Sequence, residues 1–382
     1  MDVIPASGIR RFFDIIASMD DVISLGIGEP DFVTPHHISS AGLRSIELGE
    51  THYTSNYGLR SLRDAISDML DRRYGVVYDP ASELIVTTGV SEGLNIAFQA
   101  LLDPGDEVLL PEPHYVAYPP NIILAGGRVV TVPTDDEHEF RVQVADLERA
   151  LTPRTKALML GYPANPTGAI LDRADLWEIA EFVERNDLFV VADEIYDRLT
   201  YGSDHVSFAS MPGMRERTIL LGGFSKAYAM TGWRLGWAAA PEDLLEAMMK
   251  VHQYVMMSAP TAAQYAALEA LVSGEEDVRA MVAEYDRRRR VMVDGFNAIG
   301  LRCFEPRGAF YCFPDIRSTG LSDEEFSEAL LYEERVAVIP GSGFGPSGRG
   351  HVRACYATSL PEIEEALARI GRFVARVRDG AR

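Results

Sequence analysis

The sequence predicts an α/β chain: a mostly parallel sheet covered on both faces by helices, followed by a second, smaller domain. From residue 83 onward, short apolar runs alternate with segments of helical period. Several of the runs are apolar at consecutive positions instead of every second one, as strands buried on both faces are. The chain has 382 residues, 47% hydrophobic and 24% charged. That is enough for two or three units of about 100–200 residues, each with its own core.

In chain order, residues 1–40 read as an N-terminal arm that joins the smaller domain. Residues 41–280 form the large domain and 281–382 the small one. The strand-like runs are 83–88, 107–110, 129–132, 157–160, 188–192, 218–221 and 235–239. Before the fifth, residues 175–186 place Leu176, Ile179, Ala180 and Val183 at i, i+3, i+4 and i+7, one face of a helix. A long helical stretch, 241–299, separates this array from a second set: a run at 309–313, a helix near 322–334, runs at 336–339 and 351–356, and a last helix from 361. The Gly-rich 340–350 is short enough to be an active-site loop. There is no internal repeat, low-complexity tract or long linker.

Fifty-seven acidic side chains against 36 basic ones give a net charge of −21, which argues against a nucleic-acid partner, because such affinity rests on concentrated positive charge. The one basic run, Arg287 to Arg290, lies in a helical segment with acids on both sides and is expected to be a solvated face or a subunit contact. No uncharged apolar run approaches the roughly 18 residues of a membrane span, and Arg10, Arg11 and Asp14 interrupt the place of a signal peptide. Cys303, Cys312 and Cys355 lack metal-ligand spacing and read as reduced, buried thiols of a cytoplasmic protein. No metal centre is expected.

Among the 36 lysines and arginines only Lys156, Lys226 and Lys250 are lysines. Lys226 ends Gly222-Gly-Phe-Ser-Lys226, directly after a buried run and before Thr231-Gly-Trp-Arg234. Ligands of α/β sheets bind beyond the carboxyl ends of strands, where a desolvated lysine can form an imine with a carbonyl compound while Ser225 and Arg234 meet an anion. Taken alone, the segment also fits a surface turn. Asp193 follows five apolar residues, where an unpaired carboxylate is costly; a protonated pyridine nitrogen would partner it, and so would a structural ion pair. Ala164-Asn165-Pro166-Thr167-Gly168 fixes a polar Asn in a turn beside the same sheet edge. Thr87-Thr-Gly89-Val-Ser91-Glu leads from a strand into an apolar helix, whose free N–H groups and dipole suit a phosphate.

Together with Gly26-Ile-Gly28-Glu-Pro-Asp-Phe32 and Arg353, these segments resemble the class I/II aminotransferases, the fold-type I family that uses pyridoxal 5'-phosphate. The motifs occur in family order over nearly the whole chain. The resemblance implies a seven-stranded large domain and makes Lys226 the lysine that bonds the cofactor aldehyde and later shuttles a proton. Asp193 would pair with the pyridine nitrogen, Asn165 and Tyr196 with the ring's phenolate oxygen. Tyr115 would stack on the ring, and Val90, Ser91, Ser225 and Arg234 would hold the phosphate. Arg353 would clamp the substrate carboxylate in its fork, helped by Gly28 and Asn165. Tyr53, or its rival Tyr57, would reach the phosphate of a neighbouring subunit, which implies a homodimer.

The activity so implied is ping-pong transfer of an amino group from an L-amino acid to a 2-oxo acid such as 2-oxoglutarate. Ser91 stands where bacterial aspartate-using relatives often carry lysine, and the chain looks most like the aromatic and broad-specificity members, so an aromatic donor is expected. The alternatives are an aspartate or alanine aminotransferase, or a pyridoxal phosphate lyase on the same fold.

Overall fold

The computed structural model describes residues 19–380. The first 18 residues of the expected arm, with Arg10, Arg11 and Asp14, lie outside the described residues. The first strand, β1 (Ile23–Ser24), precedes the helices His36–Glu47 and Arg60–Tyr74. The seven runs between residues 83 and 239 then form β2 (Leu84–Thr87), β3 (Glu107–Glu112), β4 (Arg128–Pro133), β5 (Thr155–Leu160), β6 (Phe189–Asp193), β7 (Thr218–Gly223) and β8 (Gly236–Ala239). They make one sheet in the order β2-β8-β7-β6-β5-β3-β4. The pairs from β4 through β3, β5 and β6 to β7 are parallel. β8 runs antiparallel to both β7 and β2. It follows β7 after only a loop and a 3-10 turn, and a parallel return needs a longer crossover, usually a helix.

The consecutive apolar residues of these strands have a direct cause: both sheet faces are covered. Val86, Leu109, Leu158, Val190 and Leu220 belong to one buried cluster, and their neighbours Ile85, Val108, Met159, Val191 and Ile219 to another. The helix Arg173–Arg185 carries the expected stripe, with Leu176, Ile179, Ala180 and Val183 buried. It starts at Asp172, whose carboxylate accepts from the N–H groups of Ala174 and Asp175 while Asp175 reaches back, a full capping box.

The long helical stretch is three helices, Glu242–Val255, Thr261–Ser273 and Glu275–Ile299, divided at Pro260 and Gly274. Beyond them lie β9 (Tyr311–Cys312), the helix Asp323–Glu334, β10 (Val336–Ala337), β11 (Ile339–Pro340), β12 (Val352–Cys355) and the helix Leu360–Arg378. The single run expected at 336–339 divides between two sheets. β10 pairs in parallel with β1, and β11 with β12. Both halves are buried, so apolar pattern cannot mark the break.

One expectation is corrected. The run Arg287 to Arg290 is not a solvated face, because Arg288 and Arg289 are buried. Arg288 donates to both oxygens of Asp31 at 2.8 and 2.9 Å, and Arg289 to Asp286, Glu305 and the Pro306 carbonyl. Acids from two other segments, Asp31 and Glu305, meet this face of the helix, and sequence spacing on the helix alone does not reveal them.

Candidate active site

A cavity of about 530 Å³ opens at the carboxyl ends of the large sheet's strands, beside β9 and β12. Gly28, Val90, Ser91, Tyr115, Asn165, Asp193, Tyr196, Ser225, Lys226, Arg234 and Arg353 all line it. Of the residues expected at the site, Tyr53 is not in the lining; it is 80% exposed on the surface. Tyr57, its rival, does not line the cavity either.

Lys226 follows β7. Gly222 lets that strand lie close to β8: a Cβ there would meet the Trp237 ring at 2.2 Å. The Lys226 Nζ donates to the Gly28 carbonyl at 2.7 Å and lies 5.8 and 5.7 Å from the ring centroids of Tyr196 and Phe310. Burial lowers its pKa from 10.5 to about 8, so the neutral amine is accessible near neutrality.

Asp193 is the last residue of β6 and is buried. Its carboxylate accepts from the Tyr118 hydroxyl at 2.9 Å and from the Ile195 N–H at 3.1 Å. Desolvation nevertheless raises its pKa from 3.8 to about 6, partly offset by those two bonds. No salt bridge to it is found among the described residues, and such a group calls for a cationic partner within the cavity. The next residue, Glu194, turns away and accepts from His205 at 2.8 Å, Ser207 at 3.2 Å and the Phe208 N–H at 2.8 Å.

Opposite lies the start of the helix Gly89–Leu101, whose first-turn N–H groups have no acceptor within the helix. Two close approaches shape this end. A Cβ on Gly89, whose φ is +74°, would lie 2.7 Å from the Arg234 guanidinium, and one on Gly236 would lie 2.8 Å from the backbone of Gly89 and Val90. Arg234 itself adopts a left-handed φ of 54° and donates to the Thr231 carbonyl. Free N–H groups, a helix dipole and a guanidinium therefore converge beside Ser91 and Ser225, a suitable cradle for a phosphate.

Arg353, on β12, closes the cavity from the other side. Its Nη1 donates to Asn165 Oδ1 at 2.9 Å and its Nη2 to the Gly26 carbonyl at 2.6 Å, while its buried Nε has no partner. The guanidinium lies over the rings of Tyr311 and Phe344, at 4.6 and 4.9 Å. An unpartnered donor on a fork-shaped cation suits a carboxylate ligand.

This donor set would suit pyridoxal phosphate: the helix start offers donors for a phosphate, Lys226 an amine for an aldehyde, and the buried Asp193 a carboxylate for a protonated ring nitrogen. Sequence reasoning missed two tyrosines. Tyr118 holds Asp193, and Tyr311 shares a 2.8 Å hydrogen bond with Tyr196 and lies so near Gly28 that a Cβ there would sit 2.6 Å from its hydroxyl. Tyr118 was within reach, three residues after Tyr115. Tyr311 sits in an apolar run and carries no signal beyond that of a core residue.

The family description "Aminotransferase class I and II" matches residues 20–370. YugH of Bacillus subtilis is 53% identical, covering 97% of this chain and 96% of its own. The aspartate aminotransferase of Pyrococcus abyssi is 47% identical, over 98% of this chain and 97% of its own. The solved aromatic aminotransferase of Pyrococcus horikoshii superposes with a TM-score of 0.92 at 46% identity, covering 96% of this chain and 99% of that one.

The raised pKa of Asp193 has a measurable consequence in the cofactor-free protein. A carboxyl that holds its proton more tightly folded than unfolded stabilises fully below pH 3.8, and the contribution is lost as pH rises toward 6. Lys226 stays protonated in both states over that range. Between pH 4 and pH 7 the urea-unfolding free energy of the wild type should therefore fall by roughly 2 kcal/mol relative to Asp193→Asn; a difference that does not change with pH would show that Asp193 is not the titrating group.

Proposed function

Because the chain belongs to the class I and II aminotransferases, and is itself an aminotransferase of the fold-type I architecture, we propose that it uses pyridoxal 5'-phosphate to move the amino group of an aromatic L-amino acid to a 2-oxo acid such as 2-oxoglutarate. The observation that carries the donor class is the set of charges in the cavity. Its cations are Lys226, Arg234 and Arg353, and its carboxylates include Glu29 as well as Asp193. With Lys226 and Arg234 assigned to the cofactor and Arg353 to the α-carboxylate, no lining cation remains for a donor's second carboxylate. Ile27, Tyr115, Val116 and Tyr311 offer it apolar and aromatic surface instead. The acceptor's distal carboxylate would then rest on hydroxyl and backbone donors, or on a second subunit. A lyase on the same fold is not favoured.

In this reading Val90, Ser91, Ser225 and Arg234 hold the phosphate, and Tyr115 stacks on the ring. Bound there, pyridoxal phosphate supplies an aldehyde for the amino group and a ring that accepts the electron pair of the substrate α-carbon. Asp193 keeps the ring nitrogen protonated by stabilising positive charge at its buried carboxylate. Asn165 and Tyr196 orient the ring through its phenolate oxygen. Arg353 grips the substrate carboxylate in its fork, with Gly28 and Asn165 beside it, and so aims the α-hydrogen. Lys226, once neutral, would take that proton and hold it for return, because it is the amine whose desolvation lowers its basicity toward the working pH. Domain limits near residues 40 and 280 belong to the same reading. So does a cytoplasmic setting, which the three free, buried thiols support.

We assign Tyr53 to the cavity of a second subunit. The exposed apolar side chains of Val33, Leu43, Ile46, Leu48, Tyr254 and Val255 support a partner surface. The protein should sediment at twice its chain mass, and a species of single-chain mass at micromolar concentration would refute the dimer.

Lys226→Ala should abolish turnover, while Arg353→Ala should raise KM for every amino donor by roughly tenfold or more. Wild-type kinetics in either variant would remove that assignment. Donor class is read from the visible absorbance of the cofactor-loaded protein with phenylalanine, tyrosine, aspartate or alanine added singly. An aromatic donor should bleach the band and 2-oxoglutarate restore it. Bleaching by aspartate alone would make this an aspartate aminotransferase, and recovery without acceptor would point to the lyase.

A further inference from the structure

Away from the cavity, three side chains distant in sequence come together. Asp136 lies in the loop after β4 of the large sheet, while Asp315 and His351 face each other across an isolated antiparallel bridge beside the small sheet. One ligand atom from each lies within 4.8 Å of the others. His351 is 5% exposed and held by two rings, stacked on Phe313 at 5.1 Å and edge-on to Phe140 at 5.5 Å. Its Nδ1 is 3.3 Å from the Arg349 carbonyl, which places the ring proton on Nδ1 and the lone pair on Nε2. That Nε2 is buried and has no hydrogen-bond partner. Burial also lowers the pKa of His351, so the imidazole is neutral at physiological pH.

The two carboxylates are unequally satisfied. Asp315 takes three short bonds from Arg317, two from its guanidinium at 2.7 and 2.9 Å and one from its backbone N–H at 2.8 Å, whereas the Asp136 carboxylate meets, among the described residues, the more distant guanidinium groups of Arg317 and Arg302, at 3.4 and 3.5 Å. Both arginine side chains are more than half exposed. The two carboxylates themselves are only 18% exposed, and the bidentate Arg317–Asp315 pair is the contact an entering ion must displace, whereas the longer contacts to Asp136 contribute little.

We propose that Asp136, Asp315 and His351 form a binding site for one divalent transition-series cation, Zn²⁺ or Mn²⁺, that ties the loop after β4 to the start of β12. A neutral imidazole with two carboxylates suits these ions better than Mg²⁺ or Ca²⁺, which take all-oxygen sets. Bonds of about 2.0–2.2 Å put neighbouring ligand atoms about 3–4 Å apart, within a small side-chain rotation of the spacing seen. Arg317 swings outward as the ion enters, and water fills the remaining positions. The ion would brace β12 two residues before Arg353 without touching the cavity.

The test uses the full chain treated with chelator and then titrated with MnCl₂, read by electron paramagnetic resonance, or with ZnCl₂, read by calorimetry. One ion per chain, with a rise in Tm that MgCl₂ does not reproduce, is the expected result. Asp136→Asn, on a surface loop, should keep the fold and weaken binding at least roughly tenfold. Arg317→Ala should tighten it by removing the competing cation. If the cluster is only a set of ion pairs, Arg317→Ala will lower Tm and no saturable ion will bind. That outcome overturns the proposal, as does binding that Asp136→Asn leaves unchanged.

Discussion

A carboxylate at the buried end of a central strand sets the terms for the rest of this molecule. Asp193 sits where β6 leaves the core, with a tyrosine hydroxyl and one backbone N–H to stabilise it and, among the described residues, no salt bridge. Such a charge is tolerated only if a positive partner arrives from the cavity side. The surrounding architecture serves that arrival. The parallel strands end at a common edge, the reversal into β8 brings Arg234 to that edge, and the glycines at 89 and 236 let the helix start press against it. Asp193 ends β6 and Lys226 follows the neighbouring strand β7, and burial moves their pKa values toward each other, one down and one up.

Much of this was legible in the sequence, for reasons that differ by residue. The strands could be read because burial on both faces leaves no room for alternation; the motifs at Gly89, Asn165, Asp193 and Lys226 drew notice because each follows such a run, but their roles came only from the family resemblance. The division of residues 336–339 between two sheets was not legible, since both halves are equally buried. The burial of Arg288 and Arg289 was hidden because their partners Asp31, Glu305 and the Pro306 carbonyl come from other segments. Tyr311 was hidden for the opposite reason: in an apolar run its hydroxyl draws no notice until Tyr196 and Gly28 are placed against it.

The small sheet contributes to the cavity through Arg353 and Tyr311, which are bound to each other by ring contact and to Asn165 and Tyr196, just after β5 and β6, by hydrogen bonds. These bonds cross from one sheet to the other. A second crossing lies at the rim, where Glu112 at the end of β3 accepts from the N–H and hydroxyl of Ser347. The orientation of the carboxylate clamp thus depends on contacts made by both parts of the chain.

The close approach of β7 and β8 divides the cavity wall into two kinds of surface. Behind one half, around Gly222, Gly89 and Gly236, the Trp237 ring, the Arg234 guanidinium and main chain already stand where an added methyl would go, so that half admits little sequence drift. The other half is built from side chains such as Ile27, Val116 and Leu94, which can be exchanged without moving a backbone. A lineage that keeps the first half fixed is free to vary the second, and new amino-acid preferences can arise on an unaltered cofactor seat.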